Sequence, residues 1–238
     1  VDWGKLERKP KITLAKGERQ RERVLSREEA QDYPAMCSQS WRDVATILLG
    51  TAMRPGEVFK LRWENVVLSD NGGFIQIMEG KTKSARRMLP MVPAVYVALK
   101  ARFEGQGMPS AGWVFPSGSR SGHLEQSSAK IQHDRALKRL RKAHEIEPSI
   151  PLVKPFPPYV MRHTCLTWLA ESGCDAFTLA RIAGHSSITI TQRYAHPGAQ
   201  AIQGAFKRLE SGSTTLQSPK IQPALLVGKF DVAATCSK

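Results

Sequence analysis

Cysteine is scarce in this sequence, and its spacing excludes two kinds of stabilising site. The four cysteines (Cys37, Cys165, Cys174 and Cys236) form no CxxC pair, so neither a structural zinc site nor a disulfide scaffold is expected. The longest apolar stretch, VATILLGTAM, is far shorter than the roughly 20 residues of a membrane-spanning helix. No signal-peptide pattern opens the chain. We therefore expect a soluble, intracellular protein with reduced cysteines, no metal and no membrane association.

Acidic residues are also in short supply. The chain carries 21 Asp plus Glu against 35 Lys plus Arg, which gives a net charge of +14. Such an excess favours a polyanionic partner. Nucleic acid is the leading candidate. An anionic membrane surface is the less specific alternative, and the short apolar stretch and the absence of a signal-peptide pattern speak against it.

The pattern of apolar residues predicts a mainly α fold with a small antiparallel β-sheet (α+β). Helices are predicted over residues 26–34, 39–52, 92–103, 127–146, 158–172, 176–182, 187–194 and 199–210. Short strands are predicted within 66–78 and 86–91. The segment Asp70-Asn71-Gly72-Gly73 has the composition of a hairpin turn.

One helix carries a one-sided positive stripe. Arg135, Lys138, Arg139 and Lys142 recur at i, i+3, i+4 and i+7, so they share one face. A solvated helix usually mixes both signs of charge. The stripe therefore indicates either DNA phosphate contacts or a plain exposed face, and both readings stay open.

Arg54 and Arg162 occupy positions at which a positive charge is expected to have a partner. Arg54 precedes Glu57 by three residues at a helix start, which an ordinary ion pair would explain. Arg162 shares a helix face with Leu166 and Leu169, which should point inward. An arginine on that face needs an anion, because an unpaired buried charge is very costly.

Three further residues have ordinary explanations when each is taken alone. Lys81 would be a solubilising residue between two strands, and His185 a cap after Gly184. Tyr194, nine residues after His185, would be a core tyrosine at a helix end. The order and spacing of the whole set favour a shared chemical role.

Four segments carry a resemblance to the tyrosine recombinases of the phage-integrase type. They read TAMRPGEVFKLRWENV, EGKTKSARRMLPM, MRHTCLTWLAESG and LARIAGHSSITITQRYAH, and the resemblance runs from about Val24 to Leu209. It implies the tyrosine recombinase catalytic-domain fold. It also implies a role for each of six residues: Arg54 and Arg162 as catalytic arginines, Lys81 as the hairpin lysine, His185 as the late histidine, Tyr194 as the nucleophile and Glu57 as the brace for the first arginine.

One position departs from the family pattern. The family has His-x-x-Arg, or sometimes Lys-x-x-Arg, where this chain has Tyr159-Val160-Met161-Arg162. The histidine at that position is the usual proton acceptor for the nucleophile. By register, His163 is not its replacement.

The chemistry of the residues agrees with the resemblance. A phenol has a pKa of about 10, so Tyr194 attacks only if nearby cations or a base favour the phenolate. Arg54 and Arg162 would supply that field and clamp the non-bridging oxygens of a phosphodiester. His185 would donate to the same oxygens, and Lys81 would protonate the leaving 5'-oxygen. The product would be a 3'-phosphotyrosine, formed without any cofactor.

The resemblance also implies an organisation and partners. Residues 1–23 would be a basic linker with the N-terminal core-binding domain absent, 24–210 the catalytic domain that breaks and rejoins DNA, and 211–238 a tail that is flexible or docks on a partner protomer. We expect a monomer in isolation and a homotetramer on double-stranded DNA, with Phe206 on the face that docks. A cytoplasmic location and a bacterial or phage mobile element are also expected.

Two other functions stay open at this point. A type IB topoisomerase has similar Arg, Lys, His and Tyr chemistry. A non-catalytic, accessory DNA-binding relative is the other, and Tyr159 is its one supporting feature.

Overall fold

The computed structural model describes residues 23–69, 72–78, 86–194, 203–204 and 206–207. The chain divides into two compact units, Val1–His196 and Pro197–Lys238, and every element named below belongs to the first. The linker 1–23, except for Arg23, lies outside the described residues, as do the tail 211–238 and most of the helix predicted over 199–210. The predicted boundary at residue 210 falls within the second unit.

The described part of the first unit is mainly helical with one small sheet, which confirms the predicted fold class. Its helices are α1 (Arg27–Ala35), α2 (Gln39–Thr51), α3 (Pro55–Phe59), α4 (Pro93–Gly105), α5 (Gln126–Ile146), α6 (Tyr159–Glu171), α7 (Ala176–Ala183) and α8 (Ile188–Gln192). Its strands are β1 (Val66–Ser69), β2 (Gly72–Ile77) and β3 (Arg87–Pro90), which pair antiparallel in the order β1-β2-β3. No helix in the described ranges is long and apolar enough to cross a bilayer.

The first hairpin differs from the prediction. Gly72 and Gly73 belong to β2, where they pair with Ser69 and Leu68, so they are not turn residues. A Cβ on Gly73 would lie 2.5 Å from the carbonyl oxygen of Val67. This glycine therefore allows a close approach of two strands.

The core is built around α2, which packs against α1, α4 and α6. A buried polar network joins the surrounding helices. Tyr33 Oη lies 2.5 Å from Nδ1 of His133 and accepts from the indole of Trp41, and His133 Nε2 lies 2.5 Å from the carbonyl oxygen of Phe156. This network links α1, α2 and α5 to the segment that leads into α6.

The helices α2 and α7 each end at a residue with a left-handed backbone conformation, and α8 ends in a turn. The α2 helix stops at Ala52, which has a left-handed φ of 55°, and Pro55 then starts α3. The α7 helix stops at Gly184, whose φ is 63°. The α8 helix ends at Gln192, two residues before the predicted end, and Tyr194 follows in a turn in which its N–H donates to the Thr191 carbonyl at 2.9 Å.

Candidate active site

Arg54 is fixed by the start of α3. It is the N-cap residue, and Glu57, three residues on, accepts a hydrogen bond from its backbone N–H at 2.8 Å. The same carboxylate binds the Arg54 guanidinium at 2.9 Å, and that guanidinium donates to the Gly184 carbonyl at 2.8 Å. The side chain remains 36% exposed. Arg54 is therefore tied to α3 and to the end of α7, yet it still faces solvent.

A third arginine, which the sequence patterns did not indicate, shares Glu57. Arg87 on β3 donates to both Glu57 carboxylate oxygens, at 3.1 and 2.8 Å, and to the Ile182 carbonyl at 2.7 Å. Burial alone would raise the pKa of Glu57, but the hydrogen bonds and charge of Arg87, helped by Arg54, lower it below its ordinary value. Glu57 is therefore an ionised bridge between two arginines.

Arg162 is fully buried on α6, as its apolar helix face predicts. Its guanidinium donates to the backbone carbonyl of Ala52 and, at 2.7 Å, to that of Ala183. Its Nε has no hydrogen-bond partner among the described residues. Burial, and secondarily the nearby charges of Arg54 and Arg87, lower the pKa of Arg162. The ends of α2 and α7, rather than a carboxylate, hold this charge in place.

His185 stands against Arg162. Its Nε2 lies 3.2 Å from Arg162 Nη2, and its Nδ1 lies 2.9 Å from the Thr191 hydroxyl. Since a guanidinium only donates hydrogen bonds, Nε2 is the acceptor and the ring is neutral. Burial and then the charges of Arg162 and Arg54 lower the pKa of His185 to about 4. In this arrangement the ring accepts from Arg162, whereas the expectation from the sequence is that His185 donates to a phosphate oxygen.

Tyr194 lies at the edge of a second, small core. It packs partly against the buried cluster that Ala52, Leu166, Leu179 and Ala183 contribute to. Its hydroxyl lies 3.0 Å from Nδ1 of His163. Burial raises the pKa of Tyr194, and so does the neighbouring Tyr159, whereas Arg193 and Arg162 lower it less. The arginine field expected from the sequence is present, but it does not outweigh burial.

Tyr159, which stands where the family motif has histidine or lysine, lies at the start of α6. Its side chain is 50% exposed, and the Arg162 guanidinium carbon lies 5.9 Å from the centre of its ring. It therefore partly covers the buried arginine.

An open cavity of about 790 Å³ adjoins this cluster. Arg54, Glu57, Gly184 and His185 line one part of it. The remaining lining residues come from α3, the 3₁₀ turn Trp63–Asn65, β2, α8 and neighbouring loops: Met53, Gly56, Lys60, Leu61, Arg62, Asn65, Gln76, Ile77, Met78, Trp113, Ser186 and Ile190. An open surface of mixed polar and apolar residues therefore leads to Arg54 and His185.

Comparisons with known proteins show the family to which this chain belongs. The sequence profile described as the phage integrase family matches residues 12–201. The chain belongs to the phage integrase family. The tyrosine recombinase XerD of Rhizobium meliloti is 34% identical over 152 residues, covering 63% of this chain and 45% of the relative. The integrase of Salmonella phage P22 is 24% identical over 220 residues, covering 88% of this chain and 53% of the relative. The chain thus spans about half the length of these relatives.

Solved structures support the fold of this phage integrase family member. The Tn1549 transposon integrase (aa 82–397), solved in complex with circular intermediate DNA, superposes with a TM-score of 0.64 at 25% identity, covering 81% of this chain and 68% of that one. The catalytic domain of bacteriophage HP1 integrase gives a TM-score of 0.53 at 20% identity, covering 80% and 98%. The HP1 match shows the fold alone.

The structure brings together five of the candidate residues, namely Arg54, Glu57, Arg162, His185 and Tyr194, with Tyr159 beside them. Lys81 lies outside the described residues, so its role stays a prediction. The α5 stripe, formed by Arg135, Lys138, Arg139 and Lys142, is exposed. Of these, Arg139 donates to the Met36 carbonyl at 3.0 Å.

Proposed function

We propose that this chain is the catalytic part of a site-specific tyrosine recombinase that cuts and rejoins double-stranded DNA through a 3'-phosphotyrosine at Tyr194. The observation that carries the proposal is the convergence of Arg54, Arg162 and His185 beside a tyrosine whose hydroxyl faces a possible proton acceptor. The matched relatives bear the names recombinase and integrase, which does not favour a topoisomerase.

The two arginines differ in how a phosphodiester would reach them. Arg54 is exposed at the cavity, so a phosphodiester can reach its guanidinium directly. Arg162 is buried, with Tyr159 near its guanidinium, so a phosphate would reach it only after nearby side chains move. Both charges would then stabilise the negative charge that builds up on the non-bridging oxygens in the transition state. The unpartnered Nε of Arg162 adds one available donor.

His185 would change its role when DNA binds. A phosphodiester anion near the ring favours the imidazolium, because an opposite charge raises the pKa of a base. Protonated Nε2 could then donate to a phosphate oxygen, as the family resemblance implies. Lys81 would protonate the leaving 5'-oxygen. Because the phosphotyrosine conserves the ester bond, a 5'-hydroxyl can reverse the step without ATP.

A supercoiled plasmid tests this activity without knowledge of the target site. The 238-residue chain, incubated with the plasmid and stopped with SDS, is expected to leave a fraction of nicked DNA with protein on its 3' end. A 3' exonuclease should be blocked there, and a 5' exonuclease should not. Nicks with free 3' ends, or protein on the 5' end, would contradict the proposal.

The α5 stripe predicts how DNA binding depends on salt. The slope of log K against log salt is negative for DNA binding. We expect the Lys138→Gln, Lys142→Gln double variant to reduce its magnitude by about 2, because each lost phosphate contact removes about 0.9. Lys130→Gln is the matched control, since Lys130 on the same helix is already paired with Asp134 at 2.5 Å. Fluorescence anisotropy from 50 to 200 mM salt measures both slopes. An unchanged slope in the double variant would make the stripe a plain exposed face.

We also propose that the chain is a monomer in isolation and a homotetramer on DNA. Phe206, in the second unit, is 64% exposed, which supports the expected docking on a neighbouring protomer. The relatives come from bacteria and a phage, which supports a bacterial or phage origin and action in the cytoplasm.

A further inference from the structure

His163 contacts the hydroxyl that is expected to react. The Nδ1 atom of His163 lies 3.0 Å from Tyr194 Oη, and the two ring centres are 5.0 Å apart. This distance is within the range required of a general base. His163 follows Tyr159 by four residues on α6, so the two side chains project from the same side of the helix. The imidazole thus lies one helical turn beyond the position that the family motif assigns to its base.

The environment of Tyr194 makes a proton acceptor necessary. Burial and Tyr159 raise the pKa of this phenol above its ordinary value, against the smaller opposing effects of Arg193 and Arg162. The phenolate is therefore rarer at neutral pH than in a free tyrosine. A base that accepts the proton as the bond to phosphorus forms removes the need for prior ionisation.

The other nearby groups are poorer acceptors. The hydroxyl of Tyr159 is a much weaker proton acceptor than an imidazole nitrogen. His185 already binds Arg162 and Thr191, and its pKa of about 4 makes it a weak base. Among these described residues, His163 is hydrogen-bonded to Tyr194 Oη, and Tyr159 and His185 are not.

We propose that His163 is the general base of the cleavage step and takes the role that the family motif places at Tyr159. The proposal rests on the proposed recombinase function. As Tyr194 Oη bonds to phosphorus, its proton moves to His163 Nδ1, and the bond from phosphorus to the 5'-oxygen breaks. The leaving oxygen takes a proton from the general acid, for which Lys81 is the expected residue. In rejoining, His163 returns its proton to the departing tyrosine.

The test compares His163→Gln with wild type in single-turnover cleavage of one duplex. The duplex is chosen from a randomised pool as one that wild type attacks. Glutamine can still accept a hydrogen bond from Tyr194 but cannot take its proton, so the variant separates proton transfer from positioning. His123→Gln is the matched control, because His123 lies in the loop before α5 and contacts the Leu124 carbonyl at 2.9 Å. Thermal unfolding and DNA affinity show whether each variant is folded.

We expect His163→Gln to cleave about 10²- to 10⁴-fold more slowly than wild type, and His123→Gln to match wild type. The same loss should persist on a duplex with a 5'-bridging sulfur at the cut site, because a thiolate leaves without an acid. A loss that disappears on the sulfur substrate would place His163 on the leaving group. A rate within threefold of wild type would also overturn the proposal.

The pH profile of wild type gives a second readout that needs no variant. The groups that act on Tyr194 are Tyr159 and Arg162 from α6 and Arg193 after α8, besides His163. Neutral imidazole is the proton acceptor, so the wild-type rate should rise with pH and reach a plateau once the ring is neutral. A rate that rises tenfold per pH unit up to pH 9 would mean hydroxide ionises Tyr194 and His163 does not act. If wild type forms no covalent adduct at all, the recombinase function fails and this role fails with it.

Discussion

Replacing Tyr194 with phenylalanine is expected to lower covalent attachment to DNA by at least about 10³-fold, because it removes the only group assigned as nucleophile. The ring that packs on the small core is retained, and no charge changes. DNA affinity should therefore stay within about twofold of wild type. A denaturing gel measures the adduct, and anisotropy measures binding. Tyr96→Phe, on α4, is the control and should behave as wild type.

An adduct that persists in Tyr194→Phe would show that another residue attacks the phosphate. Tyr159 is the first candidate, because it lies beside Arg162 and is half exposed. The double variant Tyr159→Phe, Tyr194→Phe would identify it. In contrast, Tyr159→Phe alone should retain the adduct, because His163 rather than Tyr159 faces the reactive hydroxyl.

Replacing Glu57 with alanine is expected to cost about 3–5 kcal/mol of unfolding free energy, the range for removing one partner of a buried ion pair. The reason is Arg87, whose side chain is 1% exposed and whose carboxylate partner is Glu57. Urea unfolding measures the loss. Glu64→Ala is the control, because Glu64 pairs with Arg62 at the surface, and its loss should be far smaller. Equal losses in the two variants would mean that the Glu57 bridge does not hold the site together.

The same carboxylate predicts a pH dependence of stability. The folded-state pKa of Glu57 lies below its unfolded value, so its contribution is complete above about pH 4.3 and is lost as pH falls through the folded value. Glu57→Gln should lack this component, so its unfolding free energy should fall less than that of wild type between pH 5 and pH 3. Parallel curves for the two proteins would contradict the ionised bridge.

Local patterns anticipated the parts of the site that depend on neighbours in sequence. The pair of Arg54 and Glu57 follows from i, i+3 spacing at a helix start, and the burial of Arg162 follows from its apolar helix face. The identity of Tyr194 as the candidate nucleophile needed the family motifs. Its own surroundings, a turn after a short helix, gave no such signal.

Contacts between distant segments account for what the sequence did not predict. Arg87 binds Glu57 from another strand 30 residues away, and no local period connects the two. His163 follows Arg162 directly, so on a helix its side chain points about 100° away from that of Arg162. For this reason the register of the family motif did not indicate His163 as the proton acceptor. Tyr194, in the turn after α8, reaches His163 from 31 residues further along the chain. The composition of Gly72 and Gly73 suggested a turn, but both pair within β2, where Gly73 allows a close approach of the Val67 carbonyl and Gly72 has a φ of 111°.

The most direct test of the central claim is to identify the residue that carries the DNA after cleavage. The substrate is a pool of short duplexes with a randomised sequence around one fixed nick. Members whose cut site lies beside the nick lose the short 5'-hydroxyl fragment on cleavage, and this traps the covalent intermediate. Nuclease and protease digestion followed by mass spectrometry then locates the nucleotide on a peptide. If Tyr194 is the nucleophile, the peptide that contains it will carry a 3'-phosphate ester. No adduct, or an adduct on any other residue, would contradict it.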